Sequence, residues 1–128
     1  MLTVTTVADL RAELARLRED ARILGAGRVA FVPTMGYLHE GHLALVDEAR
    51  RHADVVVMSV FVNPLQFAPT EDLARYPRDP EGDAAKAAAR GVDLFFLPDA
   101  AEVYPREPRV RVVPGALAAR WEDEVRPG

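Results

Sequence analysis

Cysteine is absent from this chain of 128 residues. Disulfides and thiolate metal sites are therefore excluded, and a cytoplasmic location is expected rather than secretion. Lysine occurs once, at Lys86, so arginine supplies every other basic side chain. With Lys and Arg at 16 against 20 acidic residues, the formal net charge is −4. That balance argues against a nucleic-acid partner, which a basic face would attract. Long hydrophobic runs are also missing. The longest, Val55 to Val62 (broken by Ser59) and Leu94 to Pro98, are far too short to span a bilayer. The first six residues show no basic stretch followed by an apolar one, so neither a signal peptide nor a membrane role is expected. What remains is ordinary globular material. The hydrophobic fraction of 49% is enough for a core, and the length suits one domain.

Along the chain, Thr6 can cap a first helix with Asp9 as its partner, and Val7, Leu10, Leu14 and Leu17 repeat at helical spacing. Gly25 and Gly27 are expected to end that helix. Arg28 to Val32 reads as a buried strand that Pro33 should stop. A second helix runs from Leu43 to Arg51, with Arg50, Arg51 and His52 complementing the negative end of its dipole. Asp54 to Val62 is apolar without alternation, as in a strand covered on both faces. Asp79 and Pro80 open an alanine-rich third helix that ends at Gly91. Val92 to Leu97 is a third strand, Arg109 to Val113 a candidate fourth, and 116–121 a candidate short helix. Alternating strands and helices predict an α/β fold, a Rossmann-like parallel sheet with flanking helices.

The segment of unusual composition is Val32 to His42, which joins the first strand to the second helix. It carries His39 and His42 three residues apart, with Gly36 and Gly41 beside them. A helix N-terminus offers unpaired N–H groups and partial positive charge, a setting suited to phosphate. A zinc reading would need a third ligand near the two histidines. Glu40 faces another side, and His-Glu-x-x-His is absent, so no metal site is assigned. The second segment is Asn63-Pro64-Leu65-Gln66-Phe67, at the end of the next strand. Ligands of open α/β sheets bind beyond the carboxyl ends of the strands, and adjacent parallel strands would bring both loops together. Gln66, flanked by two large apolar residues, suggests a pocket wall. Asn63 is also a common turn former. Glu71, Asp72, Arg75 and Arg78 read as solvated surface, and Tyr76-Pro77 as a structural lock.

Pro33-Thr34-Met35-Gly36 running into His39-Glu40-Gly41-His42 resembles the His-x-Gly-His element of the nucleotidyltransferase superfamily. Ser59 to Phe67, then Glu71 to Arg78, narrow the resemblance to the pantothenate synthetase family (pantoate–β-alanine ligases, AMP-forming). Gly91-Val92-Asp93 and Glu102-Val103-Tyr104-Pro105 are similar as well. The resemblance implies an ATP-dependent ligase that makes a pantoyl adenylate and passes the acyl group to β-alanine. It implies that Met35, Gly36, Tyr37, Leu38, His39, Glu40, Gly41 and His42 bind ATP, with His42 as the catalytic general acid. Gln66 would bind pantoate and β-alanine, and Asn63 and Tyr76 would help close that pocket. Mg²⁺ would arrive with ATP, and the full-length family is expected to be homodimeric.

The family also carries a Gly-Glu-Lys-Asp segment, a Met-Ser-Ser-Arg-Asn segment and a lid domain, and none of these occurs here. The one lysine is expected to lie far from either motif. Residues 1–128 are therefore expected to form part of a nucleotide-binding domain, without its C-terminal half or lid, and activity of these residues alone is in doubt. Two other readings stay open. One is another nucleotidyltransferase of the superfamily. The other is a remnant that binds nucleotide without catalysis.

Overall fold

The computed structural model describes residues 1–25, 27–67, 73–110, 112, 115 and 116. Its elements are β1 (Leu2–Val4), α1 (Val7–Leu24), β2 (Val29–Thr34), α2 (Glu40–His52), β3 (Val55–Val60), α3 (Pro80–Arg90), β4 (Leu94–Phe96) and α4 (Ala100–Val103). The four strands are all parallel, in the order β1-β4-β3-β2.

β3 is central and buried along its whole length, which accounts for its unbroken apolar sequence. Its side chains alternate between two cores. Val56, Met58 and Val60 join Val32, Val46, Ala87 and Phe95 beneath α2 and α3. Val55 and Val57 join Val4, Leu94 and Phe96 on the other face, where Val7, Leu10, Leu14 and Leu17 of α1 pack. Those four are the helical repeat visible in the sequence. The predicted caps form as well. Thr6 Oγ1 accepts from Asp9 N at 3.1 Å, and Asp79 Oδ1 accepts from Gly82 N at 3.0 Å.

Two expectations need correction. Pro33 does not stop the first predicted strand, because β2 runs on to Thr34. Among the described residues β2 pairs with β3 alone, and its even-numbered residues turn their backbone groups toward it: Arg28 O accepts from Val55 N and Thr34 O from Phe61 N. Parity turns position 33 away from β3, so its missing N–H leaves no gap in that ladder. The sheet's fourth strand is Leu2–Val4 rather than Arg109–Val113. Arg109, Val110 and Val112 lie in no strand, and Arg111 and Val113 fall outside the described residues. A three-residue edge strand carries too little apolar pattern to announce itself. The candidate helix at 116–121 falls, beyond Ala116, outside the described residues. So do Glu71 and Asp72.

Candidate active site

β2 and β3 are adjacent and parallel, so the loops that leave them meet at one end of the sheet. Between them lies a cavity of about 330 Å³. Met35, Gly36 and Tyr37 form one wall, Phe61, Val62 and Pro64 another, and Leu97 and Pro98 after β4 a third. The lining is mostly apolar. Arg78, Asp79, Asp83 and Asp99 add charge, although Asp79 and Asp99 already cap α3 and α4 and Asp83 is spent on the loop after β2. Arg78, expected as plain surface, pins the turn before α3 by donating to Tyr76 O and Leu73 O.

The histidine loop is built from backbone groups already satisfied. Gly36 N donates to Thr34 Oγ1 at 3.2 Å. Tyr37 N and Leu38 N donate to the two oxygens of Asp83, at 2.8 and 2.7 Å. His39 N donates to His42 Nδ1 at 3.2 Å, and Gly41 N to His39 Nδ1 at 3.1 Å. The helix start therefore does not present these five N–H groups to a phosphate. His39 is the N-cap of α2 and His42 the third residue of its first turn, joined in a reciprocal capping box. The rings meet with centroids 4.0 Å apart.

That box selects a tautomer. Each Nδ1 accepts a backbone hydrogen bond, so in the neutral rings the proton sits on Nε2. Each imidazole thus keeps one outward donor, Nε2–H. Gly41 permits the arrangement, since a Cβ there would stand 2.9 Å from His39 Cε1. Gly41→Ala is expected to turn the His39 ring away while α2 stays intact. Loss of ring contact by NMR, with a melting temperature within a few degrees of wild type, checks this.

Gly36 is required for a different reason. Its φ is +86°, and a Cβ would lie 2.8 Å from Val60 Cγ1. Tyr37 follows at φ +54°, so two left-handed residues in succession fold the chain back over α3.

Burial holds the pKa of His42 below the ordinary imidazole value, and the neighbouring His39 adds to this, while Asp83 acts in the opposite direction. A depressed folded-state pKa means that the unfolded chain binds the proton first. The stability linked to His42 is therefore present above about pH 6.5 and is lost as pH falls toward the lower folded value. Protonation of Nδ1 also removes the acceptor for His39 N. Thermal unfolding of wild type is expected to lose more between pH 7 and 5 than that of His42→Gln. Parallel curves would refute the linkage.

Several contributors carry no signal in the sequence. Asp83, on the alanine-rich helix, is 1% exposed and anchors the histidine loop. Lys86, expected to lie far from the motif, donates from Nζ to Leu38 O at 3.0 Å. Arg90 donates to Asp47 at 2.9 Å and to Glu40 at 3.3 Å. Asp83, Lys86 and Arg90 follow i, i+3, i+7 spacing, so one face of α3 holds the loop and the helix after it.

Asn63 lies at the start of the second loop. Its Oδ1 accepts from Leu65 N and from Tyr104 Oη, both at 3.1 Å, leaving the NH₂ end to offer a ligand. Tyr104 also packs against Phe61, with centroids 6.0 Å apart. Gln66 is exposed on the short 3₁₀ turn Pro64–Gln66, and Pro64 rather than Gln66 lines the cavity among the described residues. Tyr76 meets Phe67 edge-on at 5.6 Å, the structural lock expected of it. Among the described residues, no group of three His, Asp or Glu side chains is arranged to hold a metal. No helix among them is long and apolar enough to cross a membrane.

The family model described as pantoate-beta-alanine ligase matches residues 2–128. The chain belongs to that family. It is 57% identical to the pantothenate synthetase of Thermus thermophilus, covering 100% of this chain and 43% of that protein. It is 56% identical to the pantothenate synthetase of Acidothermus cellulolyticus, over 96% of this chain and 38% of that protein. The Thermus crystal structure superposes with a TM-score of 0.85. The Francisella tularensis pantoate-beta-alanine ligase, solved as a complex with beta-gamma ATP and beta-alanine, is 32% identical and gives 0.79, with 47% of that chain covered. The chain thus spans about two fifths of the length of the two named synthetases.

Proposed function

We propose that this chain supplies the histidine-loop half of a nucleotide-binding domain in an ATP-dependent pantoate–β-alanine ligase. The observation that carries the reading is the His39–His42 capping box at the start of α2, which engages both Nδ1 atoms and so leaves each ring its Nε2–H as a donor. The Francisella relative, named as a complex with beta-gamma ATP and beta-alanine, supports ATP and β-alanine as ligands.

A pantoate carboxylate oxygen attacks the α-phosphorus of ATP, and the bond to pyrophosphate breaks. His39 and His42 donate to the phosphoryl oxygens on which charge builds. A donor so placed lowers the barrier by about 3–4 kcal/mol. Burial disfavours the charged form of His42, and the neutral ring still donates a hydrogen bond from Nε2–H to that charge; the resemblance also gives His42 the part of general acid. The amine of β-alanine then attacks the acyl carbon, losing a proton as AMP departs.

The apolar cavity beside Met35 suits the branched carbon skeleton of pantoate, and Asn63, Gln66 and Tyr76, in the chain that follows β3, are proposed to help hold that ligand. The described residues form no cage for a metal. Mg²⁺ is therefore proposed only as the counter-ion of the ATP phosphates, and no step is assigned to it. A homodimer in the cytoplasm completes the reading, on the family resemblance.

The test joins residues 1–128 to the remaining part of the Thermus relative. AMP release that requires ATP, pantoate and β-alanine together is expected. Without β-alanine, pyrophosphate release should stop near one equivalent per site. AMP formation indifferent to pantoate would refute the reading. Residues 1–128 assayed by themselves, free of host enzyme, are expected to turn over far more slowly than the joined protein. Equal rates would show that the histidine half suffices.

A further inference from the structure

We infer that Asp83 is a positioning residue for the histidine pair, filling from α3 the anion-accepting turn at Tyr37 and Leu38. Its catalytic meaning rests on the ligase reading above. Its structural content does not.

Successive backbone N–H groups in a turn with left-handed residues form a concavity that binds anions. Here that concavity is occupied from within the chain. Both oxygens of a carboxylate only 1% exposed are spent on Tyr37 N and Leu38 N. One residue further on, His39 must stand extended (φ −128°, ψ 177°) for its ring to cap α2 and for its N–H to reach His42. Lys86, one turn along α3, holds the carbonyl of Leu38. Leu38 is thus held by α3 at both its N–H and its C=O, and the direction of His39 N, across the next peptide bond, follows from it. That N–H assigns the tautomer of His42. Asp83 therefore acts on ring orientation and proton placement through the backbone, without touching a phosphate. The carboxylate also favours the charged form of His42, opposing the burial that disfavours it.

The chain has three histidines, and His52 at the far end of α2 pairs with Glu48, so it serves as an internal control. Long-range ¹⁵N–¹H spectra of the imidazoles read tautomer and titration directly. In wild type, His39 and His42 are expected as Nε2–H tautomers. In Asp83→Asn, both should move toward a tautomer average and the His42 midpoint should fall, while His52 and the core methyl groups stay in place. A folded variant with unchanged His39 and His42 signals overturns the inference.

Should Asp83→Asn not fold, amide exchange in wild type decides. Tyr37 and Leu38 exchanging as slowly as β3 supports the inference, and exchange at open-loop rates overturns it. In the joined enzyme, Asp83→Asn should lower kcat by about a hundredfold, the scale expected for a misplaced donor, and change the KM for ATP less than threefold. The imidazole spectra need no nucleotide. Failure of the ligase reading would therefore appear as absent turnover with the Asp83 effect on both rings intact.

Discussion

Asp83→Ala is expected to lower folding stability by about 3–5 kcal/mol, a large share of the roughly 5–15 kcal/mol typical of a domain. Two N–H groups lose their only recorded acceptor at once, and each unsatisfied donor in a buried setting costs about 1–3 kcal/mol. The cavity left by a carboxylate is small and polar, so a water would recover part of the loss. Asp83→Asn keeps one acceptor but sets an NH₂ against the other N–H, and should fall between wild type and alanine. Urea unfolding of the three proteins measures the order. An alanine variant within 1 kcal/mol of wild type would mean that the turn holds itself.

His42→Ala presents the opposite profile. In the joined enzyme it is expected to lower kcat by about a hundred- to a thousandfold, the loss seen when one donor to a developing negative charge is removed. Its stability cost should stay near 1 kcal/mol, since what disappears is one side of an exposed capping box. The ratio of the two effects separates a residue that acts on the reaction from one that holds the fold. His42→Gln should fold as well as alanine or better, because an amide oxygen can still accept from His39 N. It recovers activity only if its NH₂ reaches the position of Nε2–H. A His42→Ala enzyme within threefold of wild-type kcat would remove His42 from the mechanism.

The histidine loop shows where a sequence speaks and where it falls silent. His39 and His42 were legible because i, i+3 spacing beside two glycines is a local pattern, and local patterns survive without a fold. Asn63 was legible as a turn former, and its bond to Leu65 N bears that out. The expectation that loop N–H groups face a phosphate came from the same local reading. It missed Asp83, which lies more than forty residues away in a run of alanines. Lys86 was set apart for the same reason, since distance along the chain says nothing about a helix that crosses back over the sheet.

The sequence by itself determined the parallel α/β class, the cores on both faces of β3, the caps of α1 and α3, and the family. Each of these rests on periodicity, on capping chemistry within four residues, or on motifs read in order. Tertiary structure alone decided that Pro33 lies within a strand, on the side away from β3, that Leu2–Val4 joins the sheet beside β4, and that Pro64 rather than Gln66 borders the cavity among the described residues. It alone decided that both imidazoles hold their protons on Nε2. These outcomes depend on how the strands pair and on which side chains of α3 meet the turn after β2. Long-range packing sets both, and no spacing along the chain encodes either.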